Sequence, residues 1–155
     1  MNYEALFARA GDKTVRVGLA SVGDFGASLL ARSRMIPNLA FPVICDRDAT
    51  RMQSAVAASG MDADDFVLTD DITVDGLPEF DVLVEATGHP EAAATAAEWA
   101  IKRGRHVVMA TKEAAIVVGP ILHAMAREQG VVYTEWLCEN ALIGLESWRL
   151  LWRSG

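Results

Sequence analysis

The chain has 155 residues, 52% of them hydrophobic, and a formal net charge of −7. That length supports one domain with a real core, and the acidic balance argues against a nucleic-acid or anionic-membrane surface. No apolar run reaches the length of a membrane span and none stands at the N-terminus as a signal peptide.

Residues 2–10 read as a helical lead-in closed by Gly11. Residues 14–20 are an apolar strand, and 24–36 a helix with Phe25, Leu29 and Leu30 on one face and Pro37 as its stop. A second strand spans 41–46, with Pro42 acceptable only near its start. Asp48 caps a helix to Ser59, closed by Gly60. A short strand at 66–68 precedes an acidic stretch with Asp70, Asp71 and Asp75; it matches no calcium loop and reads as a solvated face. Residues 82–85 are a continuous apolar strand, and Pro90 opens an Ala-rich helix to Arg103. A strand at 106–110, a helix at 120–129 ended by Gly130 and a strand at 131–134 follow. Near-continuous apolar strands alternating with helices predict an α/β fold: a doubly wound, mostly parallel sheet of about six strands, of Rossmann type, over residues 1–135. The cysteines, Cys45 and Cys138, share no ligand spacing and read as free thiols in a reducing cytoplasm, Cys45 as core; no metal site is expected.

In such a sheet ligands bind beyond the carboxyl ends of the strands. After the first strand comes Ser21-Val22-Gly23-Asp24-Phe25-Gly26, and the second strand ends at Asp46. Together they approximate the dinucleotide fingerprint: glycines admit a pyrophosphate, a helix N-terminus faces it, and an acid meets the adenine ribose. G-x-G-x-x-G would need glycine at 21, where Ser21 stands, and Gly18 is too early to replace it. The bland alternative is an ordinary strand–turn–helix. Asp46 favours NAD through the ribose hydroxyls, whereas Arg47, with Arg51 one turn on, suits the 2′-phosphate of NADP. Arg47 reads equally well as a solvated charge. Lys112 reads either as an ammonium orienting a substrate oxygen or the nicotinamide carboxamide, or as the partner of Glu113 or Glu85. His89 reads as a helix-entry residue, and His106 and His123 carry no assigned role.

The segments V-R-V-G-L-A-S-V-G-D-F-G, V-L-V-E-A-T-G-H-P, G-R-H-V-V-M-A-T-K-E-A and G-P-I-L-H-A-M-A-R-E-Q-G-V-V-Y resemble the nucleotide-binding half of homoserine dehydrogenase-like oxidoreductases. The subgroup they resemble carries a C-terminal SAF domain and includes reductoisomerase-like enzymes. The resemblance spans residues 14–135 and implies an NAD(P)-dependent oxidoreductase. On the matching positions it implies that Gly23, Asp24, Phe25 and Gly26, within the turn begun by Ser21 and Val22, hold the pyrophosphate. It puts Asp46 and Arg47 at the adenosine ribose, Thr87 and Gly88 on the nicotinamide side, and Lys112 beside the nicotinamide as the catalytic candidate. Two departures are Ser21-Val22 and the run Thr134-Glu135-Trp136-Leu137-Cys138-Glu139-Asn140, where relatives carry a Gly-, Asp- and Pro-containing loop. The family's catalytic domain should follow Gly155, so either a fragment or a short relative is expected. The alternative function is a stand-alone nucleotide-binding, sensing or dimerisation module without turnover.

Residues 136–155 hold Trp136, Trp148 and Trp152. As a helix from Asn140 they align Ala141, Leu145, Trp148 and Trp152 on one face, with Leu142, Ile143, Leu150 and Leu151 widening it. The expectation is a homodimer through this apolar helix; the alternative is packing on its own domain.

Overall fold

The computed structural model describes residues 13–36 and 38–135. The expected helix at 2–10, the stop at Pro37 and the apolar helix at 136–155 lie outside them. Six strands form one sheet: β1 (Val15–Ala20), β2 (Leu39–Cys45), β3 (Val67–Thr69), β4 (Val82–Glu85), β5 (His106–Met109) and β6 (Tyr133–Glu135). Their order is β3-β2-β1-β4-β5-β6 and every pairing is parallel. Four helices make four of the five connections, α1 (Asp24–Ser33), α2 (Ala49–Ser59), α3 (Pro90–Lys102) and α4 (Lys112–Gln129), and an irregular segment joins β3 to β4. Parallel strands require such crossovers, which is why the apolar runs alternate with helical ones.

Alternation along the strands feeds two cores. Leu83, Val107 and Met109 face α3 and α4 with Ala93, Ala97, Ala100 and Ile101. Val82, Val84, Leu19 and Ile44 pack on the other face with Leu30 and Met52. Small alanines on α3 let it lie close to the sheet, and each fully buried Leu or Ile contributes about 1.5–3 kcal/mol. At the amino ends of the strands Gly18 makes room for Phe80: a β-carbon there would stand 2.7 Å from the ring. The Arg105 guanidinium lies 3.9 Å from the centre of that ring and 4.8 Å from that of Trp99. Arg16 and Asp81 form a paired contact, Nη2 to Oδ1 at 2.8 Å and Nε to Oδ2 at 3.2 Å.

Several boundaries differ from the sequence reading by one to three residues, the first helix ending at Ser33 instead of 36 and the last strand spanning Tyr133–Glu135 instead of 131–134, and that of α4 by more. β2 begins at Leu39, so Pro42 falls inside it, and the β1–β2 register slips between Arg16 and Gly18, opposite this segment. The irregularity accommodates a residue with no N–H to donate. α4 begins at Lys112, about two turns ahead of Pro120. Pro120 and Ile116 lie on the exposed side, so the carbonyl that loses its amide partner is within reach of water.

Candidate functional site

The order of strands reverses between β1 and β4, and the loops after β1, β2, β4 and β5 therefore gather along one edge of the sheet. In open α/β sheets that edge is where ligands bind.

The turn after β1 is built around Ser21, whose φ of 82° is left-handed. The motif asks for glycine at this position, and the structure puts Ser21 in the region where glycine is normally needed. Its N–H donates to the Cys45 carbonyl at 2.7 Å. Gly23 then serves as N-cap of α1. The first bond of the helix ladder runs from the Ala27 N–H to the Gly23 carbonyl at 2.9 Å, so the ladder leaves the Asp24 and Gly26 amides unused. The two glycines differ. A β-carbon on Gly26 would run into the Ser21 carbonyl oxygen, whereas one on Gly23 would meet only Ser21 Oγ, at 3.8 Å. Gly26 is demanded by the fold and Gly23 is not. An open approach beside a helix N-terminus suits an anion such as phosphate.

Asp46 is buried and turned toward this turn. Its Oδ2 accepts from Ser21 Oγ at 3.0 Å and from the Val22 N–H at 2.9 Å. Its Oδ1 accepts from the Asp48 N–H at 2.9 Å, and Arg51 Nη1 stands 3.7 Å from Oδ2. Burial alone would raise its pKa. The bonds from Asp48, Val22 and Ser21, with the Arg51 charge, outweigh burial and hold it below the ordinary carboxylate range. Arg51 also reaches Asp48 at 3.5 Å, so it is occupied. Arg47 is exposed and makes no hydrogen bond or ion pair among the described residues. Beneath Asp46, burial and then the charges of Asp71 and Asp46 push the Cys45 thiol up to about 12, which fits inert core.

On the other side, Glu85 ends β4 fully buried. Its Oε1 accepts the Thr87 N–H at 2.7 Å, and its Oε2 has no hydrogen-bond partner. Gly88 is left-handed at φ 69°, and its N–H donates to Oγ1 of the buried Thr111 at 3.0 Å. The 87–89 turn is thus fastened to β4 behind it and to the start of α4 beside it. Lys112 is the first residue of α4, exposed, with neither Glu113 nor Glu85 as an ion-pair partner. His89 is the exposed N-cap of α3, and His106 lies at the opposite end of the sheet. Sequence reading missed Glu85 and Thr111 as shapers of this edge. Their signals were an acid ending a wholly apolar strand and a hydroxyl at a helix entry.

A six-stranded parallel sheet with this glycine turn defines a dinucleotide-binding α/β domain. Residues 18–135 match the family model described as the NAD-binding domain of homoserine dehydrogenase, and the chain belongs to that family. Among solved structures it is similar to the homoserine dehydrogenase from Thiobacillus denitrificans, at 25% identity and a TM-score of 0.67 over 79% of this chain and 29% of that one. It is similar to the S. aureus homoserine dehydrogenase at 21% identity, with a TM-score of 0.61 over 80% of this chain and 32% of that one. The WlbA dehydrogenase from Bordetella pertussis, in complex with NADH and UDP-GlcNAcA, matches at 28% identity and a TM-score of 0.55 over 77% of this chain and 36% of that one. The chain therefore spans about a third of the length of these proteins. Comparison with curated proteins returns no match. No helix among the described residues is long and apolar enough to cross a membrane.

Proposed function

We propose that the chain binds NADP(H) or NAD(H) along the carboxyl edge of β1, β2, β4 and β5, as the cofactor-binding half of a homoserine dehydrogenase-like oxidoreductase. The observation that carries this is Gly23: a glycine at a helix N-cap whose missing side chain the fold does not need. Space there is accounted for by a phosphate drawn close to the backbone. In this reading Ser21 to Gly26 carry the pyrophosphate, with Val22, Asp24 and Phe25 contributing backbone. Asp46 and Arg47 stand at the adenosine end. Thr87 and Gly88 line the nicotinamide side, held by Glu85 and Thr111. A bound nicotinamide supplies hydride transfer to or from a small hydroxy or carbonyl compound. Lys112, with no ion-pair partner among the described residues, donates a hydrogen bond to the substrate oxygen or the carboxamide. The remaining groups that bind the substrate lie outside residues 13–135. Replacing Gly23 with Val fills the open approach. A folded Gly23→Val chain is expected to lose NADH and NADPH binding by fluorescence titration; undiminished binding places the site elsewhere.

The sequence supports two further readings of the same protein. One is a cytoplasmic setting. The other is a homodimer through residues 136–155, which lie outside the described residues. Trp148→Glu with Trp152→Glu is expected to give a folded monomer by light scattering. A parent chain that is already monomeric at micromolar concentration overturns the dimer.

A further inference from the structure

From β4 onward the chain advances across the sheet in one direction, β4, β5, β6, and β6 is the end strand. The helices between these strands, α3 and α4, pack side by side on the face that carries Leu83, Val107 and Met109. The outer side of α4 has no cover among the described residues: Ile116, Val117 and Ile121 stand exposed within about two turns of one another. Clustered aliphatic exposure of this kind marks a contact surface, whereas scattered single residues do not. The chain leaves β6 beside this stretch. A β-carbon on Gly119 would come within 2.9 Å of Glu135 Oε1, so the last residue of β6 lies against the middle of α4. Residues 136–155 follow from there.

We infer that residues 136–155 lie along the outer side of α4 in the same chain and cover Ile116, Val117 and Ile121. Connections on one sheet keep a right hand, and a segment that continues after β6 in the hand of α3 and α4 comes to lie on the same face, next to α4. Its sequence suits a place between two surfaces. Read as a helix, it carries Leu145, Trp148 and Trp152 on one side and Ile143 and Leu150 on the opposite one. Ile143 and Leu150 meet the α4 stripe, which takes both sets of aliphatic groups out of water. The tryptophan side is left for a second copy, so this docking and the homodimer proposed above use different sides of the segment. Neither the docking nor its evidence depends on nucleotide binding. One consequence does rest on the nucleotide site: Ile116 is about one turn on from Lys112, so the docked segment forms a wall beside Lys112 at the open edge of the sheet.

The test is trypsin cleavage after Arg149 and Arg153, followed by mass spectrometry, in the full chain and in Ile116→Glu with Ile121→Glu. Both changes fall at exposed positions and bring in a good helix former, and circular dichroism checks the fold. Cleavage at these sites is expected to be at least about tenfold slower in the parent than in the variant, and equally slow after roughly tenfold dilution of the parent. If the double variant does not fold, the exposed Val117→Glu is read in the same way. A parent cleaved as fast as the variant means that α4 does not hold the segment, and overturns the inference. Protection that fades on dilution means that a second copy supplies the cover, and overturns it as well. A parent that is monomeric by light scattering yet protected removes the homodimer and leaves this docking standing.

Discussion

Gly26 has no room for a β-carbon, because the Ser21 carbonyl lies against its α-carbon. Gly26→Ala is therefore expected to cost about 1–3 kcal/mol in urea denaturation. Gly23→Ala, three residues earlier on the same turn, should stay within about 0.5 kcal/mol of the parent. The motif names both glycines, but only the structure separates the one the fold needs from the one it leaves open. Asp46 has the same history. Its place after the second strand is legible in the sequence, while its inward direction is set by the Ser21 turn 25 positions away. His106 carries a pH dependence that no motif announces. Its Nδ1 accepts the Val132 N–H at 3.0 Å, and burial holds the imidazole below its ordinary 6.5, partly offset by Asp81. The unfolded chain thus takes up the proton first. The stability from neutral His106 is complete above 6.5 and is lost as pH falls from there through the folded value. Stability of the parent between pH 7.5 and 5 should slope downward. His106→Asn, which keeps an acceptor and does not titrate, should flatten that slope; equal slopes would remove His106 from the account.

Among the elements, α2 was readable to the residue. Asp48 accepts the Arg51 N–H at 3.0 Å and Gly60 closes the helix at φ 66°. The start of α4 was not, because proline is a common first residue of a helix and Pro120 was read that way. The residues before it, Ala114 and Ala115, are buried under the sheet, and that packing outweighs the broken ladder. The outer side of the same helix leaves Ile116, Val117 and Ile121 in the open at 80, 73 and 62% exposure. Since Pro120 itself is exposed, Pro120→Ala removes no packing and restores an amide donor. It should stabilise the chain by about 1–3 kcal/mol, seen as a higher urea midpoint with unchanged slope. A lower midpoint would mean that the proline sets a bend the packing requires. The stack of Phe80, Trp99 and Arg105 was invisible for a different reason: its members come from a loop, a helix and a strand edge, and no local period relates them.

For the whole molecule, the alternation of apolar strands and helices was enough to give the sheet and its edge, because parallel strands have few ways to connect. The strand order also divides the chain in time. β1, α1 and β2 are neighbours in sequence and meet through a short crossover. The other side of β1 must wait for β4, and Arg16 is 65 positions from Asp81, the residue it grips across that seam. Closing so long a segment costs chain entropy, so the expected order of folding has the first half form the template and the second half dock on it. Arg16→Ala should therefore speed unfolding while leaving the refolding rate near that of the parent in stopped-flow chevrons. A slowed refolding limb instead would mean that the seam between β1 and β4 closes early, and that the central strand recruits both of its neighbours at once.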